Sequence, residues 1–201
     1  MIGLEKDGGL WIVTINRPDK ANSLTAEMLE RLCEIAESAR DARVLVLTGE
    51  GKVFSAGADL EAAKAGLATS PLWERLSGAI AALPGLTIAA LNGTLAGGAN
   101  GMVLACDIRL AVPGAKFFYP VMKLGYLPQP SDPGRMAALI GPARTKLILM
   151  GGQKITAEEA LRFGLVDRLI EGDVVEAARE IAADTLAAKP EIAAGIKEMC
   201  R

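Results

Sequence analysis

The chain has no histidine among its 201 residues. Imidazole is the side chain that most readily transfers protons near neutral pH, and it is a frequent ligand of transition metals. Its absence excludes histidine-ligated metal sites, serine–histidine and cysteine–histidine nucleophiles, and a histidine general base. The carboxylates also lack the spacing of a calcium or zinc site, so we expect no bound metal.

Aromatic residues and charge of one sign are also scarce. Aromatics make up 4% of the sequence, and 22 basic residues stand against 24 acidic ones, for a net charge of −2. Binding to nucleic acid normally needs aromatic platforms for the bases or basic clusters for the phosphates. No block of like charge occurs, so we expect neither a nucleic-acid nor a membrane-surface partner.

Features of secreted and membrane proteins are missing too. The three cysteines are widely spaced and odd in number, which is typical of reduced, mostly buried thiols rather than a disulfide framework. The first nine residues lack the apolar run of a secretory signal. Residues 76–106 carry no charge, but glycine, proline and asparagine divide them into short pieces, so we interpret them as a buried strand and a buried helix. These features predict a soluble, cytoplasmic protein.

What is present is a regular alternation of strand and helix patterns. Apolar residues make up 51% of the chain, enough for a sizeable core in one domain. Alternating strands and helices predict an α/β fold with parallel strands. The patterns predict a hairpin over residues 2–16, buried strands over 44–49, 87–91 and 107–112, and helices that start near residues 25, 71, 98, 133, 142, 156 and 173.

Two turns of small residues follow predicted strands, at residues 54–60 and 92–100. Small side chains let a ligand approach the backbone, and helix N-termini offer unpaired N–H groups. Two such turns facing one point would supply two donors for a developing oxyanion. The alternative explanation, which the spacing alone favours, is that the glycines only allow tight packing. No phosphate-binding or dinucleotide-binding glycine motif occurs, so a nicotinamide enzyme is not expected.

Several segments, taken in order, closely resemble the crotonase (enoyl-CoA hydratase/isomerase) superfamily. They are Asn16-Arg17-Pro18, Asn22-Ser23-Leu24, Phe54 to Leu60, Ala89 to Gly93, Ala96-Gly97-Gly98, Cys106-Asp107-Ile108 and Gly164 to Asp167. The resemblance implies a crotonase-like (ClpP/crotonase) spiral of ββα units within the α/β class. It also implies a core domain over residues 1–188, with 189–201 as the start of a shortened C-terminal helical region.

The same resemblance implies an enzyme of fatty acid metabolism that binds acyl-CoA thioesters, with no cofactor beyond the coenzyme A of its substrate. The backbone N–H groups of Ala56 and Gly98 would form an oxyanion hole for an enolate. Lys20 is otherwise explained as a solvated surface lysine, and Asp59 as a helix N-cap. The residues implied to contact coenzyme A or the thioester are Lys20, Ala21, Ala56, Gly57, Ala58, Asp59, Leu60, Gly97 and Gly98.

Two positions depart from the family pattern. Hydratases of the family use two glutamates, and the matching positions here hold Gly101 and Val121. Neither side chain can move a proton, so the usual hydratase mechanism is not expected. The lyase or isomerase class remains, with isomerisation, hydrolysis or decarboxylation as the reaction. The alternatives are a non-catalytic acyl-CoA-binding protein (a pseudoenzyme) and a scaffold subunit without a ligand.

Four other polar residues are candidates for contact with the substrate. Asp132, on a loop that lines the acyl pocket in relatives, would be a base if burial raised its pKa. We favour the alternative that it caps a helix, because an aspartate before a proline is typical of a helix start. Tyr119 and Tyr126 would donate a proton, or only satisfy a core hydrogen bond. Asn100 would orient a water or the thioester, or only begin a helix.

Relatives of this superfamily continue with further helices beyond the point that matches Arg201. Those helices help to close the acyl pocket and to build trimers. We expect a short helix over residues 190–199. The resemblance implies a homo-oligomer, a trimer or hexamer in relatives, in which that segment contributes to the trimer contacts and to the acyl lid.

Overall fold

The computed structural model describes residues 1–200 of the chain. Ten strands form two sheets, and nine α-helices pack around them within these residues. The strands are β1 (Ile2–Asp7), β2 (Leu10–Ile15), β3 (Val44–Gly49), β4 (Val53–Ser55), β5 (Leu86–Leu91), β6 (Thr94–Ala96), β7 (Ile108–Ala111), β8 (Lys116–Phe118), β9 (Ile155–Thr156) and β10 (Arg168–Leu169). The helices are α1 (Ala26–Ser38), α2 (Leu60–Lys64), α3 (Leu72–Ala81), α4 (Asn100–Leu104), α5 (Val121–Leu124), α6 (Asp132–Leu149), α7 (Ala157–Phe163), α8 (Val174–Ala187) and α9 (Pro190–Met199).

From β3 to β8, successive strands of the chain are added alternately to the two sheets. The larger sheet has the order β1-β2-β3-β5-β7-β10, and the smaller one has the order β4-β6-β8-β9. Strands β3, β5 and β7 are parallel neighbours in the first sheet, and β4, β6 and β8 are parallel neighbours in the second. Each successive ββα unit therefore adds one strand to each sheet. This arrangement confirms the predicted spiral of ββα units.

The central strands are apolar along their whole length because both faces of the larger sheet are covered. In β3, Val44 and Val46 pack in a cluster with α8, whereas Leu45 and Leu47 face the main core with α1 and α3. Successive side chains of a strand point to opposite faces, so a continuous apolar run is what a doubly covered parallel strand needs. The prediction of a buried parallel strand at this position is confirmed.

Most predicted helices are present, with one difference in form. The predicted helix over residues 98–105 is a 3₁₀ turn over Gly97–Ala99 that continues into α4. The helices predicted from residues 133 and 142 are both present as the two segments of α6, which are separated at Gly141 by a non-helical backbone with a φ of 79°. At α7, Thr156 and Glu159 form the predicted capping box. The predicted short helix near the end of the chain is α9.

The uncharged stretch over residues 76–106 folds as predicted, into elements of the interior. It contains the end of α3, strands β5 and β6, and α4. No helix within residues 1–200 has the length and apolar character that crossing a membrane requires. The cysteines are free thiols, and Cys33 and Cys106 are buried as predicted, whereas Cys200 is exposed.

The turn between β5 and β6 packs against the turn before β4 with no space for a side chain. A Cβ added to Gly93 would overlap the backbone carbonyl of Lys52 and come within 3.0 Å of the Cα of Val53. Both neighbouring groups belong to the backbone, so they cannot move aside as a flexible side chain would. The contact fixes how the second strand of one ββα unit lies on the next.

We predict that Gly93→Ala lowers the free energy of unfolding by about 3 kcal/mol, because the overlap forces the two turns apart. Gly114→Ala is the matched control, since a Cβ at that position meets no atom within 4 Å. The control should change the free energy of unfolding by less than about 0.5 kcal/mol. Urea unfolding of the three proteins measures the difference. Equal stabilities of the two variants would contradict the prediction.

Candidate functional site

The two small-residue turns, one after β4 and one after β6, are in direct contact. Gly57 has a φ of +89°, and a Cβ added to it would lie 2.9 Å from the Ala96 carbonyl oxygen and 3.3 Å from the Gly97 Cα. Any larger residue at position 57 would separate the turns. The glycines therefore do allow tight packing, and that packing brings the two turns to one place.

The backbone amides of the first turn differ in what they bind. The N–H group of Ala56 donates to the Ala21 carbonyl at 3.0 Å, so this amide is used inside the fold. An engaged amide is a poor donor to a ligand, which removes the support for Ala56 as an oxyanion donor. Two backbone hydrogen bonds join this turn to Leu24: the Gly57 carbonyl accepts the N–H group of Leu24, and the N–H group of Asp59 donates to the Leu24 carbonyl. The N–H group of Ala58 lies between them and has no acceptor within residues 1–200.

The second turn also offers a free amide. Gly98 is the second residue of the 3₁₀ turn over Gly97–Ala99. Amides in the first turn of a helix have no acceptor inside that helix, and they carry the positive end of its dipole. Asn100 holds this turn in place, because its side-chain amide donates to the Gly97 carbonyl at 2.8 Å and to the Phe118 carbonyl at 3.2 Å. Both hydrogen bonds of Asn100 are structural, as its alternative explanation proposed.

A cavity of about 430 Å³ opens beside both free amides. This volume is within the range of small-molecule sites, and such sites are mostly apolar with a few polar groups. Five of the residues implied to bind the substrate line it: Ala56, Ala58, Leu60, Gly97 and Gly98. Most other residues that line the cavity are apolar, among them Ala63, Ala68, Trp73, Phe118, Pro120, Val121, Leu124 and Leu127. The polar side chains that line it belong to Lys64, Tyr119, Tyr126 and Gln129.

Asp59 holds the first turn rather than facing the cavity. Its carboxylate accepts the N–H groups of Glu61 and Ala62 at the start of α2, and it accepts a hydrogen bond from the Arg17 guanidinium at 2.8 Å. The hydrogen bond from Arg17, together with those from the two amides, lowers the pKa of Asp59. The alternative explanation of Asp59 as a helix N-cap is therefore confirmed.

Lys20 and Ala21 lie next to the first turn. Ala21 has left-handed backbone geometry with a φ of 51°, and its carbonyl is the acceptor for the Ala56 amide. Lys20 is the last residue of the short 3₁₀ turn over Pro18–Lys20, directly before Ala21, and the Lys20 side chain is exposed. The pair is thus fixed to the turn that carries the free Ala58 amide, with the Lys20 side chain in solvent.

Asp132 is fully buried, and its carboxylate occupies the space beside Gly101. A Cβ added to Gly101 would lie 2.8 Å from the Asp132 Oδ1 atom and 3.2 Å from Oδ2. The cap interpretation, which the sequence favours, is wrong. Ser131 holds the cap position of α6, and no side chain there makes a capping hydrogen bond. The Asp132 carboxylate instead points to the protein interior.

Tyr119 and Asp132 form a hydrogen-bonded pair under the cavity wall. The Tyr119 hydroxyl donates to Asp132 Oδ2 at 2.9 Å, and the Gln129 amide donates to the same hydroxyl at 3.4 Å. Within residues 1–200, Asp132 Oδ1 has no hydrogen-bond partner. Burial raises the pKa of Asp132 to about 6, although Tyr119 and Arg135 act in the other direction. Burial, and then the charge of Asp132, raises the pKa of Tyr119 as well.

Four other side chains line the cavity, and the sequence analysis named only two of them. Tyr126, a predicted candidate, is 39% exposed at the cavity edge, and Val121 is buried in its wall. Sequence reasoning did not identify Trp73 or Gln129. The Trp73 ring lies under Gly98, where a Cβ would be 3.1 Å from it, and the Gln129 side chain donates to the Ala68 carbonyl at 3.2 Å. No local motif marks either residue, because tertiary packing alone brings them to the cavity.

Known proteins of one family match this chain over nearly all of its length. The profile described as enoyl-CoA hydratase/isomerase matches residues 5–201. The short-chain-enoyl-CoA hydratase of Clostridium acetobutylicum is 37% identical over 193 residues, which cover 89% of this chain and 72% of that protein. Carnitinyl-CoA dehydratase of Salmonella enteritidis is 35% identical over 209 residues, which cover 98% of this chain and 79% of the relative.

Solved structures show the same similarity. DspI of Pseudomonas aeruginosa superposes with a TM-score of 0.90 at 32% identity, over 99% of this chain and 85% of that one. An enoyl-CoA hydratase from Bacillus anthracis superposes with a TM-score of 0.89 at 32% identity, over 98% of this chain and 81% of that one. The fold around the cavity is therefore shared with these proteins.

The raised pKa of Asp132 predicts a pH-dependent cost of keeping the native carboxylate buried. Its pKa is about 6 in the folded protein against an ordinary value of 3.8, so the folded state holds the proton more tightly. Stability from this group is therefore full below pH 4 and is lost as the pH rises towards 6. Relative to the native protein, Asp132→Asn should gain about 2 kcal/mol of unfolding free energy between pH 4.5 and pH 7.5.

Urea unfolding at the two pH values measures this gain. The exposed Asp184, on the outer surface of α8, supplies the control Asp184→Asn, for which the difference from the native protein should stay constant. A constant difference for Asp132→Asn as well would show that the carboxylate titrates normally and would contradict the prediction.

Proposed function

Because this chain belongs to the enoyl-CoA hydratase/isomerase family, we propose that it is an acyl-CoA enzyme whose oxyanion hole consists of the backbone N–H groups of Ala58 and Gly98. The supporting observation is that two amides without protein acceptors lie on two touching turns at the wall of one cavity. Ala58 replaces Ala56 in this role, since the Ala56 amide is engaged with Ala21.

Two such donors favour charge on a thioester oxygen. When a proton leaves the α-carbon of an acyl thioester, the electron pair moves towards the carbonyl, and the oxygen becomes an enolate oxyanion. Hydrogen bonds to that oxygen strengthen as its charge grows, and an apolar surrounding strengthens them further. Gly98 adds the positive end of the helical segment that begins at Gly97. The proposed hole therefore binds the enolate more tightly than the ground-state thioester.

The coenzyme A part of the substrate belongs, in this proposal, to the side of the cavity that carries the first turn. Ala58 and Leu60 line the cavity there, and Lys20 is exposed on the segment hydrogen-bonded to that turn. A lysine ammonium is a suitable point charge for a phosphate of coenzyme A. The adenine and the pantetheine would follow the backbone of the same turn, and no cofactor beyond the substrate is needed.

The reaction we propose is one that passes through a thioester oxyanion without two catalytic glutamates. Gly101 and Val121 supply neither an acid nor a base. Isomerisation, decarboxylation and hydrolysis remain, because each passes through an enolate or a tetrahedral oxyanion that the proposed hole would stabilise. The two relatives described above carry the names of a hydratase and a dehydratase. Their names support the acyl-CoA substrate class rather than one of these reactions.

The second candidate function is a non-catalytic acyl-CoA-binding protein. The glycine and valine at positions 101 and 121 favour it, because a protein that only binds has no need of carboxylates at those positions. The two candidates agree on binding and on the hydrogen bonds to the carbonyl. They differ only in whether the bound thioester loses a proton or undergoes another reaction.

We predict that the protein catalyses exchange of α-protons for deuterium in D₂O with at least one member of a panel of saturated and unsaturated acyl-CoA thioesters, because the hole stabilises the enolate. Mass spectrometry reports this exchange even without a net reaction, and it also detects loss of CO₂ or release of free coenzyme A. Calorimetry with the same panel measures binding independently of chemistry.

The control ligand is the thioether analogue of the best thioester, which lacks the carbonyl oxygen. Loss of two hydrogen bonds should weaken its binding by roughly tenfold, since each neutral hydrogen bond contributes about 0.5–1.5 kcal/mol. Binding of the panel without any reaction would favour the non-catalytic candidate. Equal affinity for the thioester and the thioether would contradict the oxyanion hole.

Lys20→Ala should weaken binding of coenzyme A thioesters by roughly fivefold, because an exposed charge pair contributes about 1 kcal/mol. The loss should shrink as salt is added, since ions screen exposed charges. Lys189→Ala, an exposed lysine before α9, is the matched control and should bind normally. Calorimetry at low and high salt tests both variants. Unchanged affinity in Lys20→Ala would assign Lys20 to the solvated surface.

A further inference from the structure

We propose that Tyr119 and Asp132 together transfer the substrate proton at this site, with Tyr119 as the catalytic residue at the cavity and Asp132 as its positioning partner and proton acceptor. This inference rests on the proposed function, because it needs a bound thioester next to the cavity wall. It adds the proton-transfer groups that Gly101 and Val121 do not provide.

The first argument is the place of the carboxylate. Asp132 Oδ1 would be 2.8 Å from a Cβ at position 101, so a side chain at 101 and the carboxylate of Asp132 exclude each other. Position 101 is one turn along the helical segment from Gly98, whose amide lines the cavity. A carboxylate that arrives from α6 therefore lies beside position 101, where the chain carries no side chain.

The second argument is the unsatisfied hydrogen-bonding capacity of the pair. A carboxylate buried for structural reasons normally has partners for both oxygens, since an unpaired buried oxygen is costly. Asp132 is fully buried, but Tyr119 donates a hydrogen bond only to Oδ2, and Oδ1 has no hydrogen-bond partner within residues 1–200. The Tyr119–Asp132 pair is therefore not a fully satisfied structural contact.

The charged groups around the pair come from two elements. Arg135 on α6 stabilises the ionised carboxylate, whereas Glu74 on α3 opposes it. Glu74 is held by Ser131, whose backbone amide donates to it at 3.2 Å and whose hydroxyl donates to it as well. Helix α4, which carries Gly101, contributes no charged side chain. Burial outweighs the effect of Arg135, so the pKa of the carboxylate is raised to about 6.

Tyr119 and Asp132 have different roles in this proposal because only one of them meets the cavity. Tyr119 lines the cavity, whereas Asp132 does not reach it. The tyrosine is a weak acid in this surrounding, because burial and the neighbouring carboxylate both raise its pKa. It therefore stays neutral, and it can accept a proton from the substrate only if its own proton moves on at the same time. The 2.9 Å hydrogen bond to Asp132 Oδ2 supplies that path.

The step balances as follows. The α-carbon proton moves to the Tyr119 hydroxyl oxygen while the hydroxyl proton moves to Asp132 Oδ2. The electron pair of the broken C–H bond enters the enolate, whose oxygen is bound by the amides of Ala58 and Gly98. Tyr119 ends neutral, and Asp132 ends as a neutral carboxylic acid. The reverse transfer returns a proton to the α-carbon, which gives exchange, or to the γ-carbon of an unsaturated acyl group, which gives isomerisation.

The test compares native protein with Asp132→Asn and Tyr119→Phe in the D₂O exchange assay. Each variant should lose about 100-fold or more of the exchange rate, as expected when a proton-transfer group is removed. Binding of the unreacted thioester should change by less than about threefold, because neither group belongs to the proposed oxyanion hole or to the coenzyme A contacts. Asp184→Asn, at an exposed aspartate of α8 outside the cavity, is the control and should keep the native rate.

The pH profile separates catalysis from a structural role. In the native protein, the exchange rate should rise with an apparent pKa near 6 and then level off, because Asp132 must be ionised to receive the proton. In Asp132→Asn, the residual rate should lose this rise. Tyr119→Phe gives an independent answer if Asp132→Asn folds poorly, since it keeps the carboxylate.

Three results would overturn the inference. If the native protein catalyses exchange and both variants stay within threefold of its rate, the pair is structural while the proposed function stands. If the native protein binds thioesters but exchanges no α-proton of any of them, the pair does not move protons and the protein is a binder. If it binds no thioester, the proposed function fails and the pair loses its substrate as well.

Discussion

The contact between the turn after β4 and the turn after β6 is the constraint on which the candidate site depends. Gly57 lets the two backbones meet at van der Waals distance, and a side chain at that position would hold them apart. The contact exists because parallel pairing of β4 with β6 places corresponding turns side by side. Repetition of the ββα unit thus creates two adjacent turns that line one cavity. The proposed oxyanion hole is a product of this repetition rather than of particular side chains.

A second constraint is the exclusion between Gly101 and Asp132. The absence of a side chain at one position is what permits a buried carboxylate from a distant helix at the other. Such a carboxylate is destabilising in its ionised form, and burial shifts its pKa to about 6 for that reason. Arg135 offsets part of this cost, and Tyr119 offsets another part. The fold keeps a buried carboxyl group with a raised pKa behind Tyr119 of the cavity wall, which is a pattern typical of functional sites.

The sequence was sufficient for the elements with strong local signals. The apolar run of β3, the capping box at α7 and the spiral of ββα units were all confirmed. Hydrogen bonds between distant segments could not be predicted from the sequence. Only the structure shows that the Ala21 carbonyl accepts the amide of Ala56, while the amide of Ala58 has no acceptor within residues 1–200. The cap interpretation of Asp132 failed for a related reason. Local rules for an aspartate before a proline describe the helix end, whereas the direction of the carboxylate is decided by packing against Gly101.

Backbone and side-chain contributions to this site are separable in a physical sense. The amides of Ala58 and Gly98 are fixed by turn geometry, so a change of side chains elsewhere leaves them in place. Proton-transfer groups need only reach the α-carbon of a thioester bound at those amides, and a side chain from any neighbouring element can do so. In the proposed function, a chain that lacks carboxylates at positions 101 and 121 therefore keeps the backbone donors of the oxyanion hole. Its proton chemistry then depends, in the same proposal, on Tyr119, which lines the cavity, and on Asp132, which accepts the hydrogen bond of Tyr119.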